Sequence, residues 1–414
     1  MTYRPFSSTL AAVTLAVALA APVSAQYFAS PAGDDGNDCT SPETACRTIQ
    51  AAIDRAPDGG QVHVAQGTYA EEIRINSRVG LSILGETGVE IVPPSTTDHG
   101  SPVLVEVQRS TGIRFSGLTL TGNGATAQPA WGGFRFFGGE EVEIVDCTVQ
   151  DLSSGIVLHR HSTVQIRNSL VRRNLFHGVR VDADNSVEIT GEPFGEGTSI
   201  VEDNLFAGVI SNRGDVIFLG SVIVRRNNIG VVSSAGSVAS CCGGSVLEIT
   251  DNRGSGIQMV GGHLELRTPA LVTRNRRWGL ELYGATVETG RFSSLDERVI
   301  IRENGSASDP LSAGIFAASS SIDLALAEVS NNPQDGVLLQ DNSSLRTYLS
   351  SINGNGGRGV RAETLSTVRF VFDTVATGNG RSDISCDRTS VVAGDTGGLG
   401  KVQCSDIGNG PSGP

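Results

Sequence analysis

The feature that most constrains the fold is a phrase that returns along the chain. "NLFHGVRV" begins at Asn174 and "NLFAGVIS" at Asn204, and each has an Asn, a Gly four residues later and then an aliphatic residue. Gly133 and Asp383 extend the series at its two ends, and the base period is 22 to 23 residues with three insertions. Self-similarity at this period indicates a solenoid whose units bury their apolar faces only by stacking. The Gly positions between these ends are 155, 178, 208, 230, 256, 279, 314, 336 and 359.

The segments after these glycines have the alternation of β-strands. Residues 178–182 read GVRVD, and further alternating runs follow, such as "VQIRNS" from Val164 and "VEITGE" from Val187. Alternation in short runs between Gly, Asn and Asp predicts strands rather than helices. The Leu-rich pattern of a leucine-rich repeat and the 3.6-residue period of a helical repeat are both absent. Two or three short strands per unit predict a parallel β-helix.

The recurring Asn residues share one place in each coil. Stacked coils bring their side-chain amides about 4.8 Å apart, close enough for a hydrogen-bonded ladder, and Asn also tolerates the left-handed turn conformation. We therefore interpret these residues as structural. They are Asn174, Asn204, Asn227, Asn252, Asn275, Asn332, Asn355 and Asn379.

With these repeats, the chain resembles the right-handed parallel β-helix proteins of the pectin lyase-like superfamily. Residues 27–71, which begin "YFASPAGDDGN" and contain a Gly-Thr-Tyr at 67–69, are similar to the capping segment common in that superfamily. The resemblance implies an all-β, right-handed parallel β-helix solenoid of about 12–13 coils with an N-terminal capping helix. It implies no single activity, because the superfamily holds lyases, hydrolases, epimerases, adhesins and non-enzymes.

The chain divides into four predicted segments. Residues 1–25 read as a secretory signal peptide with cleavage near Ala25, residues 26–60 as the cap, residues 61–385 as the β-helix and residues 386–414 as a disulfide-closed tail. We expect a cap helix that begins after Ser41, carries an apolar stripe and ends at the glycines at 59 and 60. The expected location is secreted, periplasmic or at the cell surface, with no membrane span.

The cysteines agree with export. Cys39 and Cys46 bracket the start of the cap helix, and Cys386 and Cys404 bracket the tail, so each pair is predicted to form a disulfide. Cys147 is predicted to be a buried free thiol. For the adjacent residues 241 and 242, a vicinal disulfide and two reduced thiols remain alternatives.

The residue before each ladder Asn alternates in charge. Stacking makes these residues neighbours of opposite sign, which is a favourable cross-strand arrangement. A solvated ladder that fixes the register is the main interpretation, and a groove for an anionic ligand is the alternative. The net charge of −13 gives no support for binding nucleic acid. The alternating residues are Arg173, Asp203, Arg226, Asp251, Arg274 and Glu303.

Candidate site residues lie on the strand after each recurring Gly, two and four positions beyond it. In adjacent coils these positions bring together a base, a cationic clamp and an acid. We predict His159 or Arg180 as base and Asp182 as acid or metal ligand, with substrate contacts from Arg135, His161 and Asn212. An ordinary solvated strand face is the alternative.

A second patch combines Gln258, Glu281 and Tyr283, with Trp278 nearby. Aromatic rings beside carboxylates suit sugar stacking, and the insertion before Gly314 is expected to wall this patch. The alternative is surface polarity with Trp278 packed in a turn.

The specific signatures of the superfamily's enzymes are missing. The Asn-Thr-Asp, Gly-His-Gly and Arg-Ile-Lys motifs of polygalacturonases and the Asp-Pro-His motif of alginate epimerases do not occur. We predict no cofactor, although Asp182 and Asp184 leave Ca²⁺ as an alternative. The first hypothesis is a protein that binds or cleaves an extracellular, possibly acidic polysaccharide as a lyase or hydrolase. The second is a non-catalytic adhesion scaffold that presents loops to a partner. The oligomeric state is left open.

Overall fold

The computed structural model describes residues 24–95, 102–123, 131–191, 197–241, 246–267, 269–290, 298–395 and 397–404. Nearly all of the predicted signal peptide and Cys242 therefore lie outside the described residues. The described part of the chain contains no helix with the length and hydrophobicity of a transmembrane segment.

Each complete coil contributes three strands, which stack in parallel on those of the next coil. The strand after the recurring Gly belongs to a 14-stranded sheet, which we call the front sheet. The next two strands of a coil form two stacks of a second sheet, the middle column and the rear column. Two long strands, Ser82–Val92 and Arg114–Thr121, run through both columns and join them. The predicted parallel β-helix is confirmed.

The front sheet comprises Ile73–Asn76, Val103–Thr111, Gly132–Glu140, Ile156–His159, His177–Val181, Ala207–Asn212, Ile229–Ser234, Ile257–Val260, Trp278–Tyr283, Ala313–Ala318, Asp335–Gln340, Val360–Ala362, Ile384–Cys386 and Val402–Cys404. The middle column comprises Gln26–Ala29, Gln61–Val64, the first halves of the two long strands, Val142–Val145, Thr163–Arg167, Ser186–Thr190, Asp215–Leu219, Ser237–Cys241, His263–Leu266, Thr286–Thr289, Ser321–Ala325, Ser344–Tyr348, Thr367–Phe372 and Val391–Gly394. The rear column comprises Gly67–Ala70, the second halves of the two long strands, Thr148–Gln150, Leu170–Arg172, Ser199–Glu202, Val222–Arg225, Leu247–Thr250, Ala270–Thr273, Val299–Arg302, Ala327–Ser330 and Ser351–Asn353.

The last two strands come from the segment predicted to be a tail beyond the solenoid. Val391–Gly394 pairs with the middle column and Val402–Cys404 with the front sheet. The Cys386–Cys404 disulfide joins the last two strands of the front sheet, with the two Cα atoms 4.5 Å apart. The cysteine pair that was expected to close a tail therefore closes the last coil.

The N-terminal cap contains a shorter α-helix than predicted. Ser41 caps a 3₁₀ turn, Pro42–Thr44, and the α-helix spans Ile49–Arg55 with Thr48 as its N-cap. Two features separate the turns: the Cys39–Cys46 disulfide, and a backbone bridge from Ala29 to Cys46. The first turn of the α-helix also donates two backbone hydrogen bonds of 2.9 Å to the Glu71 carboxylate. These hydrogen bonds connect the cap to the first coil.

The Asn ladder runs inside the solenoid and has one more member than predicted, Asn304. At most steps an Asn Nδ2 donates to the Oδ1 of the next Asn, as from Asn252 to Asn275 at 2.8 Å. The same Oδ1 accepts the backbone N–H of the preceding Asn, and these side chains are essentially inaccessible to solvent. The ladder is therefore structural. The left-handed conformation belongs instead to the residue before each Asn, for example Asp203 with φ 56° and Arg226 with φ 55°.

The alternating charges before the Asn ladder pair between coils. Arg226 donates to Asp203 at 2.8 Å and Arg274 to Asp251 at 2.8 Å. The hydrogen bond from Arg274 lowers the pKa of Asp251, although partial burial opposes this. The predicted pairing of opposite charges between coils is confirmed, and its role in fixing the register stays a prediction.

Two of the three remaining cysteines are described. Cys147 is the predicted buried free thiol, and burial raises its pKa to about 12. Cys241 is disulfide-bonded, while Cys242 lies outside the described residues.

Candidate functional site

The strand register of the front sheet places the predicted site residues in two outward columns. Cα pairing aligns Arg135, Val157 and Arg180 in the first column. The second column aligns Phe137 with His159, and Asp182 and Asn212 follow the paired residues of the next two strands. The counting from glycines therefore predicted the correct neighbours.

Four predicted residues form one cluster, in which His159, Arg180 and Asn212 surround the Asp182 carboxylate. His159 Nδ1 lies 2.6 Å from Asp182 Oδ2, Arg180 Nε donates to Oδ1 at 2.9 Å, and Asn212 Nδ2 donates to Oδ1 at 3.3 Å. Burial raises the pKa of Asp182, but the hydrogen bonds from Arg180 and Asn212 and the nearby charges outweigh it, so the pKa is lowered overall. Asp182 is therefore ionised at neutral pH, which argues against the predicted acid role.

The orientation of His159 suits proton transfer. Its ring stacks on Phe137 with the ring centroids 5.0 Å apart, and its Nδ1 faces Asp182. A carboxylate that accepts a hydrogen bond from Nδ1 fixes the tautomer and leaves Nε2 as the proton acceptor. The side chain is about one quarter exposed, so Nε2 can meet a ligand.

Arg180 has N–H groups that could bind an anionic ligand. Two of the five N–H groups that a guanidinium carries point to Asp182. The side chain is 41% exposed. Unlike Arg135, it has no buried carboxylate to hold it in place.

Arg135 belongs to a neighbouring ion-pair cluster that the sequence reasoning missed. Its Nε donates to Glu106 at 2.8 Å, and Glu106 is only 5% exposed. Arg74 lies 3.8 Å from the other Glu106 oxygen, while Gln108 Nε2 donates to that oxygen at 2.5 Å. The Asn-to-Gly phrase does not occur in these first coils, so the glycine series did not reach them. Continuing the same register by one strand from Arg135 identifies Glu106.

His161 does not join the His159 cluster. It lies in a left-handed turn between the front sheet and the middle column, and so does Asp184. Both line a separate hollow of about 510 Å³ together with Asn185, Arg213 and Asp215. The predicted substrate contact through His161 is thus not supported by proximity to Arg180.

The second predicted patch is largely internal. Glu281 is 4% exposed, and its two oxygens accept hydrogen bonds from Ser255 at 2.5 Å and Tyr283 at 3.0 Å. Burial and the nearby Glu281 charge raise the pKa of Tyr283 to about 12. A substrate contact by Glu281 is therefore excluded without rearrangement. Gln258 pairs with Glu281 in the register and is partly exposed.

Trp278 is packed, as its alternative interpretation held. It is 3% exposed, stacks on Phe316 with the ring centroids 5.1 Å apart, and its Nε1 donates to the carbonyl of Leu311 at 2.8 Å. Leu311 lies in the insertion before Gly314. This insertion covers the Trp278 ring, whereas Tyr283 is 37% exposed.

A feature that the sequence reasoning missed lies at the edge of the front sheet beside Arg180. Phe176 and Phe206 are about half exposed, and the His177 ring meets Phe206 edge-on with the ring centroids 5.2 Å apart. Burial and the Arg180 charge lower the pKa of His177 to about 4, although Asp182 opposes the shift. The His177 Nδ1 is buried and has no hydrogen-bond partner in the described part of the chain. The phrase "NLF", common to both repeats, marks this aromatic edge.

The possible Ca²⁺ ligands do not form a cluster. Asp182 is occupied by His159, Arg180 and Asn212, while Asp184 is in the turn described above. Among the described residues, one group of potential ligands has all its donor atoms within 4.8 Å of one another, and it lies on the middle column: His263, Glu265 and Glu288.

Residues 59–194 match the family model for the right handed beta helix region. The chain is a right-handed parallel β-helix protein. The match covers about a third of the chain, and it confirms the fold that the superfamily resemblance implied. No curated protein sequence matches the chain.

Several solved structures resemble this right-handed β-helix protein in fold. The A-module of the Azotobacter vinelandii mannuronan C-5 epimerase AlgE4 is 16% identical, with coverage of 86% of this chain and 94% of that chain and a TM-score of 0.45. The pectate lyase Pel9A is 13% identical, with coverage of 71% and 78% and a TM-score of 0.48. The catalytic domain of a GH87 alpha-1,3-glucanase is 11% identical, with coverage of 94% and 69% and a TM-score of 0.48.

Proposed function

We propose that this protein binds an extracellular acidic polysaccharide across the front sheet and cleaves it by β-elimination. The observation that carries the proposal is the 2.6 Å contact of His159 Nδ1 with Asp182, beside the partly free guanidinium of Arg180. A base and a cation at one exposed spot match the two demands of elimination from a uronate: removal of a proton, and neutralisation of the carboxylate next to it.

The proposed step starts with the uronate carboxylate bound to the free N–H groups of Arg180. His159 Nε2 takes the proton from the carbon next to that carboxylate, and the electron pair of the broken C–H bond forms a carbon–carbon double bond. The glycosidic C–O bond breaks, and its oxygen takes a proton from water. Asp182 stabilises the imidazolium that forms, as an ionised carboxylate beside a histidine does. The half-exposed Phe176 and Phe206 rings lie next to His177, at the start of the strand that carries Arg180, and supply apolar contact for the sugar.

The test is a screen of the purified mature protein against uronate-containing and neutral polysaccharides, recording unsaturated-product absorbance, reducing ends and binding. His159→Ala is expected to abolish product formation while binding persists, because the residue acts on the proton. Arg180→Ala is expected to weaken both binding and turnover.

The chain offers a matched control for Arg180. Arg361 lies in the same outward column and donates to Glu363 at 2.6 Å, as Arg180 does to Asp182. In the register, the residue beside Glu363 is Gln340 and not a histidine. Arg361→Ala should therefore keep full activity. Turnover that survives in His159→Ala would contradict the proposed base.

A non-catalytic adhesion scaffold is the second candidate, and one observation favours it. Phe176, Leu205 and Phe206 expose about half of their surface in turns of successive coils, which is an apolar edge that a protein partner could cover. Silence across the polysaccharide panel, with wild type and Arg180→Ala indistinguishable in glycan binding, would remove the catalytic proposal and favour this one.

A further inference from the structure

A groove lies away from the front sheet. It runs over the outer face of the middle column and has a volume of about 640 Å³, which is within the range of small-molecule sites. Its floor follows one outward column from Ser82 to Ile217 across six strands, or about 24 Å at the usual strand spacing. A groove of this length can hold several sugar residues.

The charged side chains at one end of the groove form ion pairs with one another. Arg114 Nη1 donates to Glu143 Oε2 at 2.5 Å, and Arg167 Nη2 lies 3.6 Å from the same oxygen. These side chains are about one third exposed, and Arg114 and Glu143 line the groove with their charges already paired. This end therefore offers little attraction to an ionic ligand.

The centre of the groove has the opposite character. Gln165 and Glu188 are direct neighbours in the column, and Thr163 and Ser186 form the parallel row beside them. No hydrogen bond of the Gln165 or Glu188 side chain to another described residue is found, whereas the acids in the site clusters above all have partners. Ile217 follows Glu188 in the same column and adds an aliphatic surface.

The polar groups of Gln165 and Glu188 complement each other. Burial raises the pKa of the Glu188 carboxyl group, while the nearby Arg167 opposes the rise. A carboxylate accepts hydrogen bonds, and the Gln165 amide both donates and accepts them. Sugar hydroxyl groups need such partners, and their C–H faces suit the side chain of Ile217.

We propose that this groove is a second saccharide-binding site, which takes a neutral glycan chain through Gln165, Glu188, Thr163 and Ser186. It is independent of the elimination proposed for the front sheet, since the two sites share no residue and lie on different faces of the solenoid. With both sites filled, one molecule bridges an acidic chain and a neutral chain. Such bridging gives avidity on a mixed matrix without any new contact.

The test uses neutral hexasaccharides of glucose, xylose and mannose as probes, with binding measured by saturation-transfer NMR and calorimetry. At least one probe is expected to bind wild type, and the Gln165→Ala/Glu188→Ala double variant is expected to bind it at least about tenfold more weakly, as for the loss of two or more hydrogen bonds. Arg369→Ala is the matched control, because Arg369 is exposed in the same outward column but outside the groove. This variant should bind as wild type does.

A second variant guards against a folding defect. Thr163→Trp places a bulky side chain over the groove at an exposed strand position. It removes the Thr163 hydroxyl, which accepts the backbone N–H of Glu141 at 3.4 Å, but leaves Gln165 and Glu188 unchanged. It should also lose the probe, with an unchanged circular dichroism spectrum. Arg180→Ala should retain neutral-glycan binding, which separates this site from the proposed elimination site. The inference is overturned if no probe binds wild type, or if either groove variant binds as tightly as wild type does.

Discussion

Asn252 offers the sharpest test of how the solenoid is held together. Its Nδ2 donates to Asn275 Oδ1 at 2.8 Å, and its Oδ1 accepts the backbone N–H of Asn227 at 3.0 Å. Asn252→Ala leaves that N–H without a partner inside the coil, at a cost of about 1–3 kcal/mol. Asn275 Oδ1 still accepts the backbone N–H of residue 252, so it is not orphaned. The cavity adds about 1 kcal/mol, and we expect a total of about 2–4 kcal/mol.

The measurement is urea unfolding followed by circular dichroism. Asn252→Asp separates the hydrogen-bond contribution from the cavity contribution, because it fills the same volume but replaces the donor to Asn275 by an oxygen. We expect it to be at least as destabilising as Asn252→Ala. Arg274→Ala is the control, since it removes a half-exposed pair with Asp251 and one hydrogen bond to the Thr250 hydroxyl, and it should cost about 1 kcal/mol. If Asn252→Asp were as stable as wild type, hydrogen bonding along the ladder would not be what holds the coils.

Three further predictions concern other parts of the molecule. The unfolding free energy should fall as the pH is lowered from 6.5 towards 4, because His177 has a pKa of about 4 when folded and near 6.5 when unfolded, so the unfolded chain binds the proton first. His177→Phe should flatten this slope in urea midpoints measured at both pH values. Reduction of Cys386–Cys404, which closes 18 residues, should destabilise the last coil by about 3 kcal/mol and speed its hydrogen exchange, while the central coils keep their protection. Trp278→Ala should lower stability by about 3–5 kcal/mol in thermal or urea unfolding and leave glycan binding unchanged, because the ring is buried under the insertion.

The sequence was most informative where every coil has the same requirement. From Asn174 onwards, the buried turn of successive coils needs an acceptor for its backbone N–H. Asn174 and its successors therefore recur, and they reveal both the period and the register. The register then brought His159, Arg180 and Asp182 together correctly. The period did not predict the hydrogen-bond or ion-pair partner of each side chain. Arg135 turned to Glu106, in a coil without the phrase, because a buried carboxylate outcompetes an exposed one for a guanidinium.

The predictions that needed correction depended on contacts outside the repeat. The cap helix was predicted to start after Ser41, but the disulfide at Cys46 and the Glu71 carboxylate fix the start of the α-helix at Ile49. The groove at Glu188 was not predicted, because the alternation of the middle-column strands indicates strands and says nothing about the shape of their outer face. No period in a single strand shows that neighbouring coils together form a hollow.

These outcomes suggest where to look for function in a solenoid. A charge pairing that recurs along the solenoid, such as Arg226 on Asp203 and Arg274 on Asp251, answers a need that several coils share and is therefore structural. Arg361 and Glu363 repeat the pairing seen at Arg180 and Asp182, so that pairing is also part of the scaffold. His159, which contacts the Asp182 carboxylate, has no histidine counterpart beside Glu363. The histidine is thus the local departure from a repeated arrangement, and this is why its removal is the substitution that separates a catalyst from a scaffold.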